Sequence, residues 1–261
     1  MPQIFGKVSR ALPTYSADGT QVQQRVTGYG DIVTTQLGDN HSALADEGSY
    51  YKATNAAIGT GTSVTVPLTY TAASPTFIIT NNSAASGGTR LFIDYVRLFV
   101  SSVGGTNTSA GSPQSIQCAV FLDDHTSGTR WASGGSAAGV NIVNVNSSSS
   151  VASSASMYFG SSLVANTPGN PRQIIRTVFK SHPAAPTVNA TPVVQGDIYS
   201  MDFGEHSSSS GALSGASASI YSSSVSPAVI GGGHCLLFYM WYAGHTAITP
   251  TYEFEVGWWE R

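Results

Sequence analysis

Apolar and polar side chains alternate with a period of two along several stretches of this chain, the mark of strands with one buried face. In SIQCAVFLDD, Ile116, Cys118, Val120 and Leu122 fall on one side, and Gln117, Ala119, Phe121 and Asp123 on the other. In TYEFEVGWWER, Tyr252, Phe254, Val256 and Trp258 share a face opposite Glu253, Glu255 and Trp259. RLFIDYVRLFV (Arg90 to Val100) and CLLFYMWYA (Cys235 to Ala243) are apolar on both faces, apart from Asp94 and Arg97, as expected of interior strands. Further strands are expected at Ile32–Leu37, Ser63–Thr71, Thr76–Asn81, Asn141–Val145, Ser156–Gly160, Ile174–Phe179, Asp197–Phe203 and Ala218–Ser222. Between them lie Gly/Ser/Asn/Pro clusters such as SSVGGTNTSAGSP and NTPGNP, which read as turns and loops. A 3.6-residue period is nowhere sustained; Asp46–Asn55 is the one place that suggests a short helical turn. About ten short strands separated by turn signals predict an all-β, antiparallel β-sandwich or barrel, with two packed sheets of jelly-roll type the preferred reading.

Residues 26–261 are read as a single sandwich domain. Residues 1–25 are polar and weakly periodic, and are read as an extended arm, with a frayed terminus as the alternative. The chain closes on an aromatic stretch, and a frayed tail would not hold Trp258 and Trp259 there. Trp258 continues the inward row of the last strand. Tyr239, Trp241 and Trp259 are the candidates for contact between subunits, since Trp241 and Trp259 lie opposite the core faces of their strands.

Composition narrows the functional classes. Charged residues make up 10% of the chain against about 25% in an average globular domain, and hydrophobic residues 41%, so a sizeable core is expected beneath a surface of small hydroxyl and amide groups. The net charge of −3 leaves no basic face for phosphate, and Arg172, Arg176 and Lys180, the densest basic cluster, sit among apolar residues; nucleic acid is not expected as a partner. The apolar run from Cys235 to Ala243 is far short of the roughly 20 residues a membrane-spanning helix needs, and MPQIFGKVSRALPTYS lacks the apolar core of a signal peptide, so neither a membrane nor secretion is expected. Cys118 and Cys235 lie in apolar strands and read as buried free thiols, with a disulfide as the alternative.

Candidate chemistry is sparse. The six histidines are scattered, and no metal, nucleotide or nucleophile motif occurs. Asp123, Asp124 and His125 form the densest local cluster, but LDDHTSG after a strand reads as a turn whose carboxylates cap backbone N–H groups. Glu253 and Glu255 are about 7 Å apart on one strand face, a spacing compatible with glycoside hydrolysis. With no aromatic-flanked cleft legible in the sequence, a solvated or interface face is the expectation. No catalytic, cofactor or metal residue is assigned.

Three segments do suggest a family: GGTRLFIDYVRLFVSSVGGT, FLDDHTSGTRWASGG and SPAVIGGGHCLLFYMWYAGHTAITPTYEFEVGWWER. Together they resemble a group of tailed-bacteriophage virion structural proteins, in which a Pro-x-Val-x-Gly-Pro-Gly-like turn leads into a Leu-aromatic strand and the chain ends near Gly-Trp/Tyr-x-Glu. The turn here is Pro227-Ala228-Val229-Ile230-Gly231-Gly232-Gly233, with Gly232 where the pattern has proline, and the ending is Gly257-Trp258-Trp259-Glu260. The resemblance covers Gly87 to the end. It implies a β-sandwich of the virion, made in the bacterial cytoplasm, that decorates or cements the capsid through contacts with its own copies (a trimer preferred) and with the major capsid or another virion protein. It brings no catalytic residues. The alternatives are a tail or head fibre binding host surface glycan and, in another class, a polysaccharide-acting enzyme.

Overall fold

The computed structural model describes residues 45–104, 114–124, 140–160, 168–182, 193–204, 220–245 and 248–261. The arm at 1–25, the strand expected at Ile32–Leu37 and His125 lie outside them. The described residues form thirteen strands: β1 (Tyr50–Asn55), β2 (Thr62–Ser63), β3 (Phe77–Asn81), β4 (Leu91–Ser102), β5 (Gln114–Asp123), β6 (Val140–Asn144), β7 (Ala155–Phe159), β8 (Pro171–His182), β9 (Ile198–Phe203), β10 (Ile220–Val225), β11 (Ala228–Ile230), β12 (Cys235–Ala243) and β13 (Thr251–Glu260).

They make two sheets packed face to face. The larger has the order β10-β9-β4-β13-β1-β6, with β11 and β2 beside β4 and β13; the smaller has the order β7-β3-β12-β5-β8. Without β2, β6, β7, β10 and β11, β1-β13-β4-β9 faces β3-β12-β5-β8. With the chain crossing between sheets from β3 to β4 to β5 and from β12 to β13, this is the eight-strand jelly roll of two interlocked Greek keys. The extra strands close its sides. β6 extends the large sheet past β1 while β7 extends the small sheet past β3, and β10 lies beside β9 within reach of β8, where Thr177 and Ser223 hydroxyls meet at 3.3 Å. Sheet edges exposed to solvent invite pairing with other chains, and these additions shorten what is left open.

The core lies between the sheets and draws on nearly every strand. Tyr252, Phe254, Val256 and Trp258 of β13 and Ile116, Cys118 and Val120 of β5 all enter it, and Leu122 packs against it, as the alternation predicts. Phe77 stacks on Phe238 at 4.4 Å, and Phe159 on Phe254 at 4.4 Å, forming an aromatic spine across the two sheets. Ring pairs of this kind add to the area term that burying them supplies. Cys118 and Cys235 are buried and not joined in a disulfide, and burial raises the Cys118 thiol well above its ordinary range.

Three local expectations are corrected. Asp46–Asn55 holds one helical turn at Ala45–Asp46 and then strand β1, because Tyr51 and Ala53 point inward while Lys52 and Thr54 point out. The strand expected over Ser63–Thr71 pairs only at Thr62–Ser63 and in a bridge from Val66 to Ile248. Pro67 cannot donate to a ladder, and the chain instead crosses the outside of the small sheet. Strand β11 is too short for its period to be read. Finally, β10 runs parallel to β9, the one departure from antiparallel pairing among the described strands; the connection over 204–219 is long enough for the crossover this requires.

The glycine turn before β12 has its own steric logic. A Cβ at Gly232 would lie 1.9 Å from the Ala84 carbonyl oxygen, so neither proline nor any other side chain fits this backbone. Gly233, at φ 76°, then takes a left-handed conformation and donates its N–H to Asn81 at 3.0 Å.

Candidate interaction face

The outward side of the large sheet collects the side chains that the core does not use. Four cross-strand rows run over it. The first is Tyr50–Trp259–Phe92–Val229, and the second Lys52–Gly257–Tyr95–Asp202. The third is Thr54–Glu255–Arg97–Ser200, and the fourth Glu253–Phe99–Ile198. Two apolar ends therefore flank a charged belt. A β-bulge at Gly257/Trp258, opposite Asp94, shifts the register so that Asp94 and Tyr95 both reach this face.

At the first end the Trp259 and Phe92 rings stack with centroids 5.6 Å apart and planes 1° from parallel. Both are half-buried, and the neighbouring Val229 is 38% exposed. Trp258 points the other way and is fully buried, and its indole N–H donates to Glu260 at 3.1 Å. The Glu260 carboxylate also accepts from the Ser154 N–H at 3.0 Å and from the Ser153 hydroxyl. That anchor holds the last strand down and leaves Trp259 facing outward.

In the belt, Tyr50 donates its hydroxyl to Asp94, and Tyr95 donates to Glu255. Lys52 Nζ reaches Glu255 Oε1 at 3.0 Å, and the Arg97 guanidinium lies 4.5 Å over the Tyr95 ring. Glycine at 257 makes this crowding possible: a Cβ there would be 2.5 Å from Tyr95 Cε1 and 2.6 Å from the Tyr50 hydroxyl oxygen. Burial and the carboxylate partners push both tyrosines far above their ordinary range, so they stay protonated donors. For Glu255 burial pulls upward, but the hydrogen bonds from Tyr95 and Lys52 and the charges of Lys52 and Arg97 outweigh it, and its carboxyl sits below the ordinary 4.5. A carboxyl lowered by folding contributes stability that is complete above its unfolded value and fades as pH falls through the folded one. The melting-temperature gap between the wild type and Glu255→Gln should therefore be constant from about pH 7 to about pH 5 and close toward about pH 3. Parallel thermal melts of the two proteins check this.

The fourth row borders an open groove of about 470 Å³ lined by Thr54, Ala57, Ile58, Arg97, Phe99, Glu253 and Glu255 among others. One wall is the connection after β1, where Ile58 is completely exposed; on the sheet side Phe99 is 39% exposed. The pair Glu253 and Glu255 thus does border an aromatic-flanked groove, contrary to the sequence expectation. The groove arises because the β1–β2 connection stands beside Phe99, two strands away, a proximity that no local pattern encodes. Glu255, held ionised between donors, is suited to accepting hydrogen bonds rather than delivering a proton.

The other singled-out residues lie elsewhere. Tyr239 and Trp241 do sit opposite the core face of β12, in a second cluster with Ile78, Ala119, Cys235 and Leu237. The segment after Pro67 covers that cluster: Tyr70 packs at 5.1 Å from Tyr239 and 5.7 Å from Trp241, and the Tyr239 hydroxyl donates to Ala72 O at 2.7 Å. Trp241 is left 6% exposed and Tyr239 2%, so the chain itself occupies the surface that a neighbouring subunit would need. Asp123 is buried and accepts the N–H groups of Gly169 at 3.0 Å and Asn170 at 2.7 Å, while Asp124 accepts from the Asn170 side chain. Asp123 therefore caps backbone N–H groups, though on the loop leading into β8 and not in its own turn, whereas Asp124 meets only a side-chain amide there. Among the described residues no group of three or more His, Cys, Asp or Glu side chains is placed to hold a metal ion, and no helix is long and apolar enough to cross a membrane. Comparison with protein-family models, with curated proteins and with solved structures gives no match to this chain.

Proposed function

We propose that this chain is a structural protein of a tailed-bacteriophage virion, which decorates or cements the capsid surface by binding copies of itself and a shell protein, without catalysis. The observation that carries the reading is the row Tyr50–Trp259–Phe92–Val229 on the outside of the large sheet, where the flat Trp259–Phe92 stack is half-buried and Val229 beside it is exposed. Aromatic side chains on rigid strands are the usual anchors of protein interfaces, offering large contact area for little lost conformational freedom. The low charge of the chain, 10% of residues, suits close packing of many copies. The jelly roll recurs in viral shell and lectin domains, which agrees with the reading by analogy only. A closed homo-oligomer, a trimer in preference, brings such rows together around a symmetry axis.

Stoichiometry tests this directly. Purified protein run with multi-angle light scattering should give an oligomer mass. Purified virions should carry the chain in hundreds of copies, the order expected of a surface lattice. A monomer in solution together with a handful of copies per particle would favour the glycan-binding fibre instead, and absence from virions would sink both.

A further inference from the structure

The groove at the opposite end of the same face is chemically unlike the aromatic row. Its apolar walls, the Phe99 ring and the Ile58 side chain, stand on either side of hydrogen-bonding groups of both kinds. Glu255 is held in place by Tyr95 and Lys52, and the exposed Arg97 guanidinium lies 4.5 Å over the Tyr95 ring, a contact that uses none of its N–H donors. Glu255 and Arg97 are directly opposed residues of β13 and β4. A fixed acceptor and a donor thus stand one strand spacing apart beside an exposed ring.

We propose that this groove is a binding site for a neutral saccharide, with the sugar's C–H face against Phe99 and neighbouring hydroxyls bridging Glu255 and Arg97. A sugar hydroxyl is at once donor and acceptor, so adjacent hydroxyls satisfy a carboxylate and a guanidinium together, as a purely apolar or singly charged ligand does not. The charges around the groove argue against an acidic ligand: Glu253 and Glu255 outnumber Arg97 among the lining residues, and Lys52 is engaged by Glu255. A volume of about 470 Å³ lies within the 300–1,000 Å³ of small-molecule sites and accommodates a short oligosaccharide. The preorganisation by Tyr95 and Lys52 means that little side-chain freedom is lost on binding. This inference does not depend on the assembly reading, since it uses other residues and a different readout.

The test is saturation-transfer NMR on the full chain with maltotriose, chitotriose and lactose as neutral probes and sialyllactose as the acidic control. At least one neutral probe should show saturation transfer, and the control should show less. Arg97→Met and Phe99→Ala should each weaken that binding at least about ten-fold, the scale of losing a hydrogen bond to a charged group or a stacking surface. Val178→Ser, on the small sheet, should leave it unchanged. Circular dichroism melts and light scattering on each variant separate loss of sugar from loss of fold or assembly. No transfer from any neutral probe, an equal or stronger signal from sialyllactose, or full binding by both groove variants overturns the proposal. So does dissociation of the oligomer by Phe99→Ala, since the groove would then belong to a subunit contact. Oligomer mass and virion copy number would still report on the assembly reading whichever way the sugar experiment falls.

Discussion

Replacing Trp258 and Trp259 one at a time by alanine should give opposite phenotypes, although the two are adjacent and chemically identical. Trp258→Ala removes a fully buried indole that stacks 6.3 Å from Tyr51, and takes a donor from Glu260. The cavity and lost burial together should cost about 3–5 kcal/mol of folding stability, read as a lower urea midpoint at unchanged slope. Trp259→Ala removes a ring that touches Phe92 on the outside of the sheet, and should change subunit stability by no more than about 1 kcal/mol. Its effect should appear in assembly: if the aromatic row is an interface anchor, truncation costs about 2 kcal/mol or more per contact, shifting the oligomer toward monomer in light scattering at low protein concentration. Equal stability losses for the two variants would contradict the burial assignment. An unaltered oligomer in Trp259→Ala would remove the row from the interface.

The second large effect concerns a buried ion pair between the sheets. Lys180 of β8 reaches Asp197, just before β9, at 2.9 Å, with side chains 11% and 1% exposed. The same carboxylate also accepts from the Val194 N–H at 3.2 Å and from the Tyr199 hydroxyl at 3.3 Å. Asp197→Ala strands an ammonium group in the interior, and an uncompensated buried charge costs about 3–5 kcal/mol, or on the order of 10 °C in melting temperature for a domain of this size. The pair as such should be worth much less. Lys180→Met combined with Asp197→Asn removes both charges and retains an acceptor for Val194 and Tyr199, and should recover most of the loss. A double variant no more stable than Asp197→Ala would show that the pair's attraction, not the penalty of breaking it, dominates. The recovery is read from denaturant midpoints, and the coupling from a double-mutant cycle completed with Lys180→Met and Asp197→Asn as single variants.

Both expectations rest on faces whose legibility in the sequence was uneven. Strands β5 and β13 were readable to the residue, since alternation with period two states which side chain faces the core once one face is buried. The double-sided apolar run of β12 announced an interior strand. What covers its second face is Tyr70, more than 160 positions earlier, and that pairing is set by packing alone. Trp241 and Trp259 carried the same signal, an aromatic opposite the core row, yet one is roofed by its own chain and the other remains half open. Strand β1 was missed because Ala53 is a weak apolar marker, leaving its inward row to rest on Tyr51.

The all-β class and the inward rows were legible in the sequence, because both follow from local period and turn chemistry. Which strands lie side by side, and so which outward residues meet, is set by packing between distant segments. The belt of Tyr50, Tyr95, Lys52 and Glu255 over Gly257, the groove between Ile58 and Phe99, and the parallel pairing of β10 join residues distant along the chain. The physical reason is that a strand's pattern specifies its faces but not its neighbours, and a surface site is made of neighbours.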